Sequence, residues 1–244
     1  MSLLKNPPNR KLIGHRGCKV RENTLTAFDN AIQNGLNWIE IDIRLNKNRN
    51  WILMHDDNIL RTNGKDIYVK DLTNRDIEDN NKTSFTQINS LRETLNYFFI
   101  KKVNCIIEIK EEYKNLCDLD IKKLYLIVNG CCKRKIEVIF TSYDIDVLKM
   151  INNFQKKFNI RYDIGYNIDK FEKNILNDMN RVGKFYCLNC YSEEIKTEDI
   201  VYIKENSNYK IGIFTVNTQD EIDKFLDLKV DYIFTDCPEL NSLE

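Results

Sequence analysis

Histidine occurs only twice in this 244-residue chain, against 37 basic and 37 acidic side chains. Each histidine stands where a short apolar run stops. His15 follows Leu12-Ile13-Gly14 and precedes Arg16-Gly17, while His55 follows Trp51-Ile52-Leu53-Met54 and precedes Asp56. Two further runs interleave acids with isoleucine: Trp38-Ile39-Glu40-Ile41-Asp42-Ile43-Arg44 and Cys105-Ile106-Ile107-Glu108-Ile109-Lys110. Successive strand side chains point to opposite faces. Glu40, Asp42 and Arg44 therefore share one face and Ile39, Ile41 and Ile43 the other. Glu108 and Lys110 oppose Ile107 and Ile109 in the same way.

Taken singly, these features have ordinary explanations. A histidine at a strand end is commonly a hydrogen-bonding loop residue, and alternating charge commonly marks the wet face of an antiparallel sheet. A parallel strand covered on both sides has no wet face, so an inward charge is costly unless it is paired or bound to a cation. Glu40, Asp42 and Glu108 together offer three hard oxygen ligands, matched to Mg²⁺ or Ca²⁺ and poorly matched to zinc. His15 and His55 supply a general acid and a general base, because an imidazole pKa of about 6.5 allows either role near neutrality. Arg16 and Lys110 would clamp an anion, one with a planar fork and the other as a point charge. The combination describes a site for phosphoryl transfer.

The elements that must carry these residues alternate in type. Short β-branched or aromatic runs fall at about 11–14, 37–43, 51–54, 104–110, 136–142, 160–166, 184–189, 210–216 and 231–235. Between most of them lie stretches with apolar residues at helical spacing. The spacing of Leu25, Phe28 and Ile32 predicts a helix over 24–34 with Asn23 or Thr24 as N-cap. Further helices are predicted around Leu91–Phe99, from Leu119 to an end at Gly130, around Val147–Ile151 and Phe171–Met179, and over 196–206 and 218–229. Strand–helix alternation means right-handed βαβ units and a parallel sheet. If 51–54 is an extension paired with the second strand, eight strands remain. That number, in a chain close to the roughly 250 residues typical of the architecture, predicts an α/β fold of the TIM (β/α)8 type with a short insertion after the second strand. One domain is expected over 1–244, with its core at about 11–240. The absence of G-x-G-x-x-G argues against dinucleotide binding.

Composition narrows the partners. The formal net charge is zero, with 42% hydrophobic and 30% charged residues, which argues for a packed core and against nucleic acid as the main partner. No run approaches the 18 or so apolar residues of a membrane span, and MSLLKNPPNRK is too short in apolar residues for a secretory signal. A cytoplasmic location without stable membrane insertion is expected. The eight cysteines are then expected to be reduced. Cys187-Leu-Asn-Cys190 lacks a second ligand pair, other than Cys131-Cys132, to complete a zinc site, and is read mainly as two small buried side chains.

The motifs resemble those of the glycerophosphodiester phosphodiesterase family, a TIM-barrel group related to phosphatidylinositol-specific phospholipase C. Gly14-His15-Arg16-Gly17 with Glu22-Asn23-Thr24 is similar to the family's opening H-R-G and P-E-N-T, with Arg21 in place of the proline. Glu40 and Asp42 resemble its E-x-D, His55-Asp56 its H-D, Leu60-Arg61-Thr62-Asn63-Gly64 the usual continuation, and Glu108 and Lys110 its E-x-K. Phe214-Thr215-Val216-Asn217 resembles W-T-V-N, and Thr235-Asp236-Cys237-Pro238 resembles T-D-x-P. The resemblance runs in order from about residue 12 to 238.

It implies metal-dependent hydrolysis of a small-molecule glycerophosphodiester to glycerol 3-phosphate and an alcohol. Glu40, Asp42 and Glu108 would hold Mg²⁺ or Ca²⁺, His15 and His55 would share acid and base work, and Arg16 and Lys110 would hold phosphoryl oxygens. Phe214, replacing the usual Trp, would line the substrate site. Two alternatives are a lysophospholipase D or sphingomyelinase-like enzyme, which would want an apolar rim not evident on the loops, and a non-catalytic phosphodiester-binding barrel.

Overall fold

The computed structural model describes residues 12–132 and 135–242; the stretch MSLLKNPPNRK read above lies outside them. Strands β1 (Leu12–Gly14), β2 (Trp38–Leu45), β4 (Asn104–Ile109), β5 (Val138–Ser142), β6 (Asp163–Ile168), β7 (Cys187–Tyr191), β8 (Lys210–Phe214) and β9 (Tyr232–Thr235) run parallel, each bonded to the next in that order. β1 pairs with β9 through Leu12↔Ile233 and with β2 through Gly14↔Ile39, which closes the sheet into a barrel. β3 (Trp51–Leu53) doubles back antiparallel on β2, with Ile43↔Leu53 and Leu45↔Trp51 in register. The eight-stranded (β/α)8 barrel is thus the architecture.

The helices covering the barrel are α1 (Leu25–Gln33), α4 (Leu91–Lys101), α5 (Asp118–Cys132), α6 (Ile145–Phe158), α7 (Asn174–Val182), α8 (Thr197–Asn206) and α9 (Gln219–Asp227). Ile39, Ile41, Ile43, Ile107 and Ile109 belong to the large core between strands and helices. A separate small cluster, Ile13, Ile106, Ile139, Cys187 and Phe234, fills the barrel interior. The period-2 alternation thus sorts each strand into a helix-facing and an inward-facing set.

Of the two expected N-caps, Thr24 caps α1, its side chain accepting from the Ala27 N–H, and Asn23 is drawn into the site. Two local expectations change. α5 runs through Gly130 to Cys132, because Cys131 and Cys132 are buried against the core and burial outweighs the helix cost of glycine. Phe171 is buried but precedes α7, which starts at Asn174.

The segment after His55 is a small folded layer: α2 (Leu60–Asn63), a 3₁₀ turn (Val69–Asp71) and α3 (Asn74–Thr83). Ile52, Met54, Ile59, Val69, Leu72, Ile77 and Ile88 form its own core. α3 begins with a capping box between Thr73 and Asp76, a motif that satisfies two otherwise unpaired N–H groups.

The C-x-x-C reading resolves by parity. Cys187 points into the barrel and Cys190 into the outer core, so the two thiols lie on opposite faces of β7. Both are free, and burial pushes the Cys187 thiol up to about 12. Room for Cys187 comes from β6, where a Cβ on Gly165 would stand 2.2 Å from its Sγ and 3.1 Å from Thr141 Cγ2. Gly165→Ala should destabilise the fold by about 1–3 kcal/mol through overpacking, and Cys187→Ala should recover much of that loss in the double variant. Denaturant unfolding of both single variants and the double checks this; additive losses would show that the clash is not with Cys187.

Candidate active site

The inward side chains at the C-terminal ends of β1, β2 and β4 meet. His15 follows β1, its N–H bonded to the Thr235 carbonyl at 2.9 Å. The chain then turns sharply: Arg16 has φ 53° and Gly17 φ 84°, and a Cβ on Gly17 would stand 2.7 Å from the Ala27 backbone. A left-handed arginine costs on the order of 1 kcal/mol, offset by a hydrogen bond from its N–H to Glu40 Oε2 at 3.0 Å. The Arg16 guanidinium lies 3.1 Å from Asp42 Oδ2 and 3.2 Å from Glu22. From β4, Lys110 Nζ reaches Glu108 Oε1 at 2.6 Å and Asp42 Oδ1 at 3.5 Å. Asn23, held at φ 58°, donates to Asp42 Oδ2 at 2.8 Å and accepts from the Asp42 N–H at 3.1 Å.

Each imidazole is oriented by a carboxylate. His15 Nδ1 lies 2.8 Å from Asp236 Oδ1, and Asn217 fixes that aspartate by donating to Oδ2 at 3.1 Å and accepting from its N–H at 2.8 Å. His55 Nδ1 lies 2.7 Å from Asp56 Oδ1. With Nδ1 as donor to a carboxylate, Nε2 is the basic nitrogen of each neutral ring. Arg44 completes the seating of the second histidine, donating from Nε to the His55 carbonyl at 2.9 Å and from its terminal nitrogen to the Lys110 carbonyl at 3.3 Å.

A chain of ion pairs ties the inserted layer to this mouth. Arg61, on α2, donates to Asp56 Oδ2 at 2.6 Å and to both Glu22 oxygens at 2.6 and 3.0 Å, and Glu22 in turn pairs with Arg16. His55, Asp56, Arg61, Glu22 and Arg16 thus form one connected run of contacts.

The three acids of the site differ in charge preference. Burial, reinforced by Asp42 and Glu108, pushes the Glu40 carboxyl well above the usual carboxylate range. Burial also opposes the Asp42 charge, but Lys110 and Arg16 outweigh it and hold this carboxyl below that range. Burial pushes Glu108 up to about 7 even with Lys110 beside it. His55 is pushed down by burial, with Arg16 and Lys110 repelling its proton and Asp42 favouring it.

One carboxylate oxygen from each of Glu40, Asp42 and Glu108 lies within 4.8 Å of the others. Glu40 Oε1 is buried without a hydrogen-bond donor, Asp42 Oδ1 has only the Lys110 ammonium at 3.5 Å, and three carboxylates face two fixed cations. Hard, anionic and one cation short, this donor set fits a divalent ion such as Mg²⁺ or Ca²⁺.

A pocket of about 190 Å³ is lined by His15, Arg16, Glu40, His55, Glu108, Lys110 and Phe214, with Tyr143, Asp169 and Tyr191 on the far side. Asp42 is 0% exposed and meets the others through Arg16 and Lys110. A larger groove, about 660 Å³, between α5 and α6 holds none of these residues. The eight residues singled out from sequence therefore come together. Asp56, Arg61 and Asp236 had appeared only as letters of matched motifs, Asn23 as such a letter and a candidate N-cap, and Arg44 only as a charge on the acid-bearing face of β2. Tyr143, Asp169 and Tyr191 gave no signal, because each acts from a different strand end.

Barrel and mouth together define a phosphodiesterase-type hydrolase of the (β/α)8 class. Residues 15–240 match the model of the "Glycerophosphoryl diester phosphodiesterase family", and the chain belongs to that family. A glycerophosphodiester phosphodiesterase of Bacillus altitudinis is 25% identical over 245 residues, covering 94% of this chain and 95% of the relative. Among solved structures, an Oleispira antarctica phosphodiesterase in complex with the product sn-glycerol-3-phosphate superposes with a TM-score of 0.83, at 20% identity over 95% of each chain. A glycerophosphodiester phosphodiesterase of Thermotoga maritima superposes with a TM-score of 0.71, at 27% identity over 96% of this chain and 98% of that one.

Arg61 is half exposed, so its ion pairs add little stability; their effect is orientation of His55 and Arg16. Arg61→Ala should leave the unfolding midpoint nearly unchanged and lower turnover of a phosphodiester by about 10–100-fold, the range for lost partners of site residues. Arg61→Lys should recover part of it. Thermal unfolding and kcat measured on the same samples decide; a large loss of stability would make the role structural.

Proposed function

We propose that this protein hydrolyses glycerophosphodiesters to glycerol 3-phosphate and an alcohol. The observation that carries the reading is two carboxylate-oriented imidazoles sharing one small pocket with an acidic cluster and two cations. The glycerol 3-phosphate product named for the Oleispira antarctica relative supports the substrate class. In this reading the whole chain works as one barrel domain without a macromolecular partner. A cytoplasmic setting suits its free cysteines, and no helix among the described residues is long and apolar enough to cross a membrane.

Glu40, Asp42 and Glu108 would hold a divalent ion, which when bound neutralises phosphate charge and lowers the pKa of a coordinated oxygen. Arg16 and Lys110 hold the phosphoryl oxygens and stabilise the charge that grows there as the attacking oxygen adds. One histidine takes the proton of the attacking hydroxyl at Nε2; the other delivers a proton to the leaving alkoxide. Asp236 and Asp56 keep the rings in the tautomer those transfers need. Phe214 closes the pocket wall against the substrate.

One observation favours the lipid-directed alternative. Val20 is 72% and Phe85 77% exposed, and Arg21 stacks on the Phe85 ring at 3.3 Å, so the β1–α1 loop and the inserted layer meet there and each exposes an apolar side chain. A higher rate on lysophosphatidylcholine than on glycerophosphocholine would favour that reading.

The roles separate experimentally. His15→Ala and His55→Ala should each lower glycerophosphodiester turnover by about 10²–10⁴ with metal affinity unchanged and no rescue by excess Mg²⁺ or Ca²⁺. Glu108→Gln should weaken the metal and regain part of its rate at high metal. A histidine variant that loses metal binding would prove to be a ligand.

Metal affinity should also depend on pH. Burial pushes the Glu108 carboxyl up to about 7, so below that pH a proton must leave before the carboxylate can ligate, and Glu40, pushed up as well, adds to the same requirement. Binding should be at least about ten-fold tighter at pH 8 than at pH 6, with proton release at the lower pH. Calorimetric titration in two buffers of different ionisation enthalpy reads both quantities; pH-independent affinity would remove Glu108 from the ligand set.

A further inference from the structure

The pocket is chemically two-sided. Its cations, Arg16 and Lys110, come from β1 and β4, beside the acidic cluster. The lining contributed from β5 onward carries one charged side chain, Asp169, and four aromatic rings, of which Tyr143, Tyr191 and Phe234 surround Phe214. Phe214 meets Tyr143 edge-on at a centroid distance of 6.0 Å and Tyr191 at 5.9 Å. Both phenols are engaged by carboxylates, Tyr143 by Asp169 and Tyr191 by Glu193. A phenol that donates to a carboxylate gains electron density in its ring, which deepens the negative face. The Tyr143 ring already attracts a cation, with Lys110 Nζ at 5.4 Å from its centroid.

We infer that this wall is a subsite for a cationic alcohol, so that the diesters preferred are those of choline-like or ethanolamine-like head groups. The inference rests on the proposed glycerophosphodiester reaction and names the substrate class of that site. The phosphate is drawn to Arg16 and Lys110 on one side of the pocket. A positively charged head group linked to it by two carbons then falls on the side that offers aromatic faces and a carboxylate. Rings that accept a quaternary ammonium do so through the negative potential of their faces, and the Asp169 carboxylate beside them adds an opposite charge. Neutral polyol head groups gain neither term and would leave Asp169 facing the pocket without a cation. The reverse placement, with the glycerol on the aromatic wall, would give no preference for charge.

The test compares charge at constant shape. Glycerophosphocholine is assayed against its uncharged isostere, the 3,3-dimethylbutyl ester of glycerol 3-phosphate, with glycerophosphoglycerol as a neutral reference. The choline diester should have a kcat/KM roughly 5- to 20-fold above the isostere, the range of a partly buried cation–π contact. In Tyr191→Leu and in Asp169→Asn that ratio should fall toward one. A wild-type ratio of one, or a ratio that survives both substitutions, overturns the inference. Hydrolysis of glycerophosphoglycerol by the wild type keeps the two readings apart. With that activity present, a ratio of one sinks the cationic subsite alone, whereas no turnover of any diester sinks the reaction and the subsite together.

Discussion

Three buried carboxyl groups, each with an oxygen within 4.8 Å of the other two, set the terms for the rest of the structure. Two unit charges at that separation repel by about 3.5 kcal/mol even at an effective dielectric of 20, so three full charges cannot coexist there unaided. Glu40 yields, its carboxyl driven toward the neutral form. Asp42 stays ionised because Arg16, Lys110 and Asn23 converge on it. The left-handed backbone of Arg16 and of Asn23 follows from that demand: both residues reach Asp42 from the same tight turn. Removing the cluster would remove the reason for the turn, for Lys110 pointing inward, and for Arg44 bracing the Lys110 backbone.

The acids also need a floor. On β1, β2 and β4, and again on β5 and β7, the inward residue two positions before the polar one is apolar or packed. Ile13 precedes His15, Trp38 precedes Glu40, Ile106 precedes Glu108, Ile139 precedes Thr141 and Cys187 precedes Asn189. A parallel barrel keeps these pairs level around its circumference, so an apolar plug forms below one polar storey. Gly165 and Gly212 are the relief in this packing. Their missing side chains make room for Cys187 and for Tyr232, whose Cε2 would lie 2.4 Å from a Cβ on Gly212.

Much of this could be read from sequence because strand parity is a local property. The isoleucine–acid alternation in β2 and β4 sufficed to place Glu40, Asp42, Glu108 and Lys110 on one side, and the apolar runs ending in histidine marked two more positions. What escaped was set by tertiary context. The small core of the inserted layer draws Val69, Leu72, Ile77 and Ile88 from irregular spacings, which give no periodic signal. Gly130 looked like a helix end because local propensity favours it there, and two buried cysteines beyond it carried the helix on. Arg61 has its partner 39 residues away at Glu22, a relation no spacing rule contains. Asn23 was read as a possible cap, the commonest use of an asparagine before a helix, when Thr24 does that work and frees Asn23 for Asp42.

The same division explains how one barrel can hold a fixed reaction and a variable substrate. The charged groups sit on β1, β2 and β4, cross-linked by ion pairs and by backbone bonds from Arg16 and Arg44, so a change at one disturbs several. The far wall is built of side chains from separate strand ends, Tyr143, Asp169, Tyr191 and Phe214, whose mutual contacts are ring edges and single hydrogen bonds. The neighbours of Phe214, Tyr143 and Tyr191, fill the space around it without a hydrogen bond to Glu40 or Asp42. Substitution there changes the pocket wall while leaving the hydrogen bonds of Glu40 and Asp42 in place. The half of the barrel that bears the cations and the acidic cluster is constrained by them; in the proposed reaction the other half is left to select the alcohol.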